Sequence, residues 1–304
     1  MSDILADPLT LLSDRLARLV DEAARSIVAV HSGRRSSTSA IHWRPGVLVT
    51  AEEALERDDN ISVTLPDGRT VAATLAGRDP TTDVAALRFQ PDGLPTASLG
   101  DSTTLRAGHI VLAVGRQDDG PATNQGVVSF AGGPWQSLRG GTIDRLLRLD
   151  LRLSPRVEGG ALVDVHGRTA GMTVRGARGR TLAIPTSTID RVIDQLLVKG
   201  HIARGYLGAG LQRARLRQAR GVQGQTEAER GVLVVSIDPN GPAARAGLLV
   251  GDAITAWNGA AVTRVREVMG QLGTDSVGTS AELRLLRGGM PTTLNIAIGE
   301  RPHT

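Results

Sequence analysis

The sequence predicts a mostly β protein of two units, with a short amphipathic helix ahead of them. Three observations carry that prediction. From about residue 26 to 187, short apolar runs alternate with turn-forming residues at intervals too short for helices. A helix-patterned stretch, 186–199, then stops at Gly200. Beyond it a second series of strand-like runs begins, so the chain divides at 200–204. The resulting organisation is an N-terminal helix in 1–25, a β unit in 26–187, a linker helix in 188–201 and a second unit in 202–300.

Each element has a local cause. In 7–24, Asp7-Pro8 supply a cap and a first-turn proline, and Leu9, Leu12, Leu16, Leu19 and Val20 recur at helical spacing. Strand-like runs follow at 46–50, 61–65, 70–75, 84–89, 109–114, 126–130, 146–151, 161–165, 169–174 and 181–184. Pro66-Asp67-Gly68-Arg69 reads as a hairpin turn between two of them. So many short strands predict a barrel or a pair of barrels. The helix before Gly200 sets Ile189, Val192, Ile193, Leu196 and Leu197 on one face. The second unit reads as strands at 231–237, 253–257, 281–286 and 293–298, with helices at 242–246 and near 265–272. Outside these elements the one biased stretch is arginine-rich, 213–220.

Composition excludes several classes. With 304 residues, 40% of them apolar, the chain can bury a core in each unit. A mean hydropathy of −0.06 and 22% charged residues fit neither a disordered nor a collagen-like chain. No apolar run approaches the roughly 18 residues of a membrane span. Without cysteine there is no disulfide framework, thiol nucleophile or cysteine-bound zinc. Lys199 is the single lysine, so the basic balance of 35 against 31 rests on arginine. Six aromatic residues are too few for base-stacking platforms, so no nucleic-acid partner is read. The first thirty residues show no basic region followed by an apolar block, which makes the cytoplasm the default expectation.

In the second unit, Arg204-Gly205-Tyr206-Leu207-Gly208-Ala209 precedes Gly241-Pro242-Ala243-Ala244-Arg245-Ala246-Gly247-Leu248 and Gly251-Asp252-Ala253-Ile254. The combination resembles a PDZ domain of the bacterial type. A loop of this kind turns backbone N–H groups toward a peptide's terminal carboxylate, and the next strand offers an edge for β-augmentation. The resemblance maps Tyr206, Leu207, Gly208 and Ala209 onto that loop, with Met269 and Leu272 as side-chain selectors on the facing helix. The plainer alternative makes these residues core, with the module only docking on its neighbour.

Residues 26–190 resemble the chymotrypsin-like double barrel of the HtrA-type serine proteases. Gly46-Val47-Leu48-Val49-Thr50-Ala51-Glu52-Glu53-Ala54-Leu55 matches the segment with that family's catalytic histidine. Asp79-Pro80-Thr81-Thr82-Asp83-Val84-Ala85-Ala86-Leu87 matches the aspartate segment, and Ser154-Pro155-Arg156-Val157-Glu158-Gly159-Gly160-Ala161 the nucleophile loop. A double barrel, a helix and a PDZ domain is the family's order, and it implies bacterial protein quality control. The chemistry departs from that pattern. Asp83 occupies the aspartate position, but Glu53 stands at the histidine position and Glu158 at the serine position. Arg156 replaces a glycine that shapes the oxyanion loop, and Ala161 replaces a proline. Neither glutamate supplies the hydroxyl nucleophile with an adjacent base that acyl transfer requires.

Other residues do not restore the triad. His42 is the nearest histidine in sequence and reads as packing, His166 lies in a surface turn, and Ser154 sits four positions before Glu158. Glu53, Asp83 and Glu158 are expected to converge in one cleft. Their charges can be relieved by a hard cation, by Arg156 folding onto Glu158, or by one acid keeping its proton. No cofactor is assigned. The reading is a catalytically inactive relative that binds polypeptide C-termini or unfolded segments, with an active homologous protease as a candidate partner. The alternatives are a working serine endopeptidase with other catalytic residues, and a structural oligomer component. The resemblance implies trimers held by N-terminal aromatic contacts, yet residues 1–42 contain no aromatic. The leucine-rich helix is expected to pack on its own barrel or on another subunit.

Overall fold

The computed structural model describes residues 7–33, 37–137, 139–215, 230–273 and 276–301. Residues 216–220 of the arginine-rich stretch lie outside that set. The chain falls into two compact units, Met1–Ile202 and Ala203–Thr304.

The first unit holds two closed six-stranded barrels. The first runs, in spatial order, Ile27–His31, Thr38–Arg44, Val47–Thr50, Val84–Phe89, Thr70–Asp79 and Ile61–Thr64. It closes because Ile27–His31 pairs with both Thr38–Arg44 and Ile61–Thr64. The second runs Leu147–Asp150, Thr181–Pro185, Thr169–Arg175, Ala161–Val163, Ile110–Gln117 and Gly120–Ala131. Closure removes the exposed sheet edges that would otherwise invite aggregation. The strands Ile27–His31 and Thr38–Arg44 are absent from the sequence expectation for a physical reason. Both are buried on two faces, so apolar and polar residues do not alternate along them. Val28, Val30 and Ala40 fill the first barrel, whereas Ile27, Ile41 and Trp43 join a different core cluster.

The helix Thr186–Lys199 belongs to this unit and is not a free linker. Ile189, Val192, Ile193 and Leu196 are buried in the same core cluster as Ile27 and Trp43. Its polar side is pinned as well. Trp43 Nε1 donates to Asp190 at 2.8 Å, and Arg44 donates to Asp190 at 2.8 Å and to Asp194 at 2.5 Å. Gly200 ends the helix in a left-handed conformation (φ 75°), its N–H donating to the Leu196 carbonyl. A Cβ on Gly77 would stand 2.3 Å from the Gly200 carbonyl oxygen, so the barrel strand passes the helix end only as glycine.

The N-terminal helix spans Pro8–Ala24, and the Asp7 side chain makes no capping bond. Leu19, Ala23 and Ala24 are buried on the barrels, while Leu9, Leu11 and Leu12 are exposed. The helix is held by a buried arginine. Arg116 donates Nε to the Ile27 carbonyl at 2.8 Å and Nη2 to the Ala24 carbonyl at 3.1 Å. The Ala24 carbonyl is among those a helix C-terminus leaves unpaired, and a cation is favoured there. Burial alone lowers the Arg116 pKa.

In the second unit the sheet order is Ala209–Arg215, Arg230–Ile237, Ala253–Trp257, Ser280–Arg287 and Met290–Ala297, with Ala260–Ala261 paired to Ala253–Trp257. A small ribbon joins Gly205–Tyr206 to Gly299–Glu300. The helices are Pro242–Arg245 and Val265–Gln271. Leu207, Val232, Val234, Trp257 and Val268 form the centre of its core.

Candidate functional site

The backbone brings the three acids of the first unit to one place. A 3-10 turn, Glu52–Ala54, follows the strand Val47–Thr50 and carries Glu53. Asp83 sits immediately before the strand Val84–Phe89 at φ 58°, a left-handed conformation that aspartate tolerates better than most residues. Asp83 Oδ1 accepts the Glu53 backbone N–H at 2.9 Å, which ties the two segments together. Glu158 lies in a turn whose carbonyl accepts from Thr38 Oγ1 at 2.7 Å and from Ser39 N–H at 3.1 Å. Ser39 Oγ also donates to the Arg156 carbonyl at 2.6 Å. Packing dictates the glycine after Glu158. A Cβ on Gly159 (φ 78°) would fall 2.4 Å from the Ser39 carbonyl oxygen.

Electrostatics then sort the acids. Glu158, with a side chain 12% exposed, meets Arg175 Nε at 3.0 Å. Burial pushes the Glu158 carboxyl up, opposed by the Arg175 charge and backbone N–H, and assisted by Glu53. The half-exposed Glu53 meets Arg139 at 2.9 Å, and the buried Glu52 meets Arg78 at 2.5 Å. Among the described residues, Asp83 alone of the four has no guanidinium beside it. Its pKa is pushed up to about 7 by burial and by the charges of Glu53, Glu158 and Glu52, against the pull of the Glu53 N–H. The cleft beside these groups has a volume of about 530 Å³ and an apolar wall including Trp135, Ile143, Val174 and Leu182.

One expectation is corrected by this geometry. Arg156 does not fold onto Glu158; it is exposed, and its Nη1 donates to Gln117 Oε1 at 2.5 Å. Val157, fully buried between the two, anchors the turn so that its neighbours diverge. Arg175 pairs with Glu158 and Arg139 with Glu53 instead, and no spacing in the sequence links either arginine to its partner. His42 is 2% exposed and structural: Nδ1–H donates to the Pro95 carbonyl, Nε2 accepts from Gly46 N–H, and the ring stands edge-on to Phe89. Burial lowers its pKa, consistent with a neutral ring. His166 is exposed in a turn, and the Ser154 carbonyl accepts the Val157 N–H that opens the Glu158 turn.

The second unit builds its loop by using carbonyls. The Leu207 carbonyl accepts Ala243 N–H at 2.7 Å and the Gly208 carbonyl accepts Asp238 N–H at 2.9 Å. In a trans peptide the N–H points opposite to the C=O, so the N–H groups of Gly208 and Ala209 face away from that segment. Gly208 (φ 73°) passes Gly241 so closely that a Cβ would lie 2.9 Å from the Gly241 Cα. Tyr206 is half-buried, its hydroxyl donating to Asp238 Oδ2 at 3.0 Å. Leu207 and Leu272 share the core, and Met269 is exposed on the helix Val265–Gln271.

Two closed β-barrels with this cleft, followed in the chain by this sheet and loop, define a trypsin-like protease fold with a PDZ module. The Trypsin-like peptidase domain family matches residues 38–172, and the PDZ domain family matches 205–298. The chain belongs to the HtrA-type serine protease family: it is 30% identical to the solved "HtrA-type protease AlgW with tripeptide", covering 95% of this chain and 98% of that one at a TM-score of 0.70. A serine endoprotease structure from Yersinia pestis is 28% identical, with a TM-score of 0.74 over 94% and 98% of the two chains. A probable periplasmic serine endoprotease DegP-like of Halomonas elongata is 32% identical over 90% of this chain. The periplasmic serine endoprotease DegP of Salmonella typhimurium is 31% identical over 83% of it. This chain spans 59% and 54% of those two relatives' lengths. Both are named periplasmic, which overturns the cytoplasmic expectation. Among the described residues, no helix is long and apolar enough to cross a membrane.

Proposed function

We propose that this chain is a catalytically inactive HtrA-type protein. It binds polypeptide C-termini or unfolded segments through its PDZ module and acts as an adaptor or regulator of proteolysis. The proposal rests on Glu53 and Glu158, which the sequence resemblance puts at the positions of the family's base and nucleophile. Acyl transfer needs a hydroxyl that loses its proton to a neighbouring base as it attacks. A Glu158 carboxylate paired with Arg175 offers no hydroxyl to attack a substrate carbonyl. The site is occupied by its own ion pairs, so a polypeptide lying in the cleft stays uncut. An active homologous protease is the natural partner, and the relatives' names support a periplasmic setting.

A second reading, a working serine endopeptidase with other catalytic residues, is favoured by the names of the relatives, which are serine endoproteases. A fluorophosphonate probe separates the two, because it forms a phosphorus–oxygen bond only with an activated serine hydroxyl. The expected result is no labelled serine in the folded chain. Stoichiometric labelling of one serine, lost on heat denaturation, would overturn the proposal.

A further inference from the structure

The groove of the second unit is apolar at one end and basic at the other. Strand Ala209–Arg215 pairs with Arg230–Ile237 on one side only, so its other edge is open among the described residues. Residues opposite each other in an antiparallel pair share a face. Leu211 stands opposite Val234, and Arg213 opposite Val232. Those valines lie in the core that Val268 and Leu272 also join, so Leu211 and Arg213 face the side of the sheet that bears the helix Val265–Gln271. Leu211 packs on that core, whereas Arg213 and Arg215 are exposed.

The helix has a defined direction along the groove. Gly205 N–H donates to the Gly273 carbonyl at 3.2 Å, and a Cβ on Gly205 would stand 2.9 Å from Leu272 Cα. Its C-terminal end therefore lies beside the start of the 205–209 loop. Its first turn, with exposed Arg266, extends away from the loop toward the Arg213 end. Among the described residues, Arg213, Arg215 and Arg266 pair with no carboxylate.

We infer that this groove selects free C-termini that end in an apolar residue and carry acidic residues about four to six positions upstream. The inference rests on the peptide-binding reading above. A peptide with its carboxylate at the 206–209 loop adds antiparallel to Ala209–Arg215. Its last side chain meets Leu211, Leu272 and the exposed Met269. Its earlier residues pass Arg213 and then Arg215, one peptide residue for each residue of strand. Exposed ion pairs are individually weak, so the discrimination comes from several acting together and falls with salt.

Three fluorescein-labelled ten-residue peptides test this by anisotropy against the full chain and against Arg213→Glu/Arg215→Glu. All end in valine; the first has glutamates four and six positions before it, the second has lysines there, and the third is the first with an amidated C-terminus. At low salt the glutamate peptide is expected to bind about tenfold more tightly than the lysine peptide. The gap closes at high salt, the double variant reverses the preference, and amidation abolishes binding. Equal affinity for the two free-acid peptides, with binding lost on amidation, overturns the charge selection and leaves the peptide-binding reading standing. Binding by none of the three overturns that reading, and the inference with it.

Discussion

Asp83→Asn is expected to stabilise the chain at pH 8 by as much as about 4 kcal/mol and to leave it nearly unchanged at pH 4. Asp83 is half-buried with carboxylates around it and, among the described residues, no guanidinium beside it, and its pKa rises from 3.8 to about 7. The folded state therefore holds a proton that the unfolded chain has already released between about pH 4 and 7. Over that window the unfolded state binds fewer protons, so stability falls as pH rises, by about 1.4 kcal/mol per unit. Above about pH 7 both states are ionised and the loss is complete. Asparagine keeps an oxygen to accept the Glu53 N–H and tolerates the left-handed backbone of this position. Urea titrations of both proteins at pH 4, 6 and 8 check this. A gain that grows with pH is the expected outcome; an equal effect at all three pH values would show that Asp83 does not titrate abnormally.

Asp252→Ala is expected to lower the stability of the second unit by about 1 to 3 kcal/mol, because the half-exposed Arg287 is left to water while the Leu249 N–H loses its acceptor; Asp252→Asn costs less. Asp252 is 1% exposed. It accepts Arg287 Nε at 2.9 Å and Nη2 at 2.7 Å, and the Leu249 N–H at 2.8 Å. Burial pushes its pKa up, but the Arg287 fork and the Leu249 N–H outweigh that and hold it below the ordinary range. With a depressed folded pKa, its contribution is present above the unfolded value and lost as pH falls through the folded one. Alanine leaves the Leu249 N–H without its acceptor and removes the two Arg287 bonds that tie the 249–252 turn to the strand Ser280–Arg287. In scanning calorimetry of the full chain, the transition of this unit should fall by about 5 °C or more. An unchanged transition would mean that the backbone bonds of the turn, Asp252 N–H to the Leu249 carbonyl, Gly251 N–H to the Val234 carbonyl and Val234 N–H to the Asp252 carbonyl, hold it without the side chain.

How much of this was legible depends on range along the chain. The HtrA-type architecture could be read because its motifs are local: a strand and turn around Glu53, a turn before Val84, and a glycine pair after Glu158. The loop ahead of Ala209 was legible for the same reason. The strands Ile27–His31 and Thr38–Arg44 were not, since burial on both faces erases the alternation that marks a strand. The helix Thr186–Lys199 was found from its period, yet its place in the first core depends on contacts of Trp43 and Arg44 with Asp190, far apart in sequence. The same limit governs the cleft. Arg156 stands next but one to Glu158 and looks like its partner, but the buried Val157 sends the two apart. Arg175, brought in by the strand Thr169–Arg175, takes that role through the barrel fold.

The most direct test of the central claim is incubation of the purified full chain with casein, with products read by mass spectrometry beside Glu158→Ala. The account predicts no new casein termini from either protein. Cleavage by the native chain that follows it through purification and survives Glu158→Ala would contradict the account and place an unrecognised nucleophile elsewhere in the molecule.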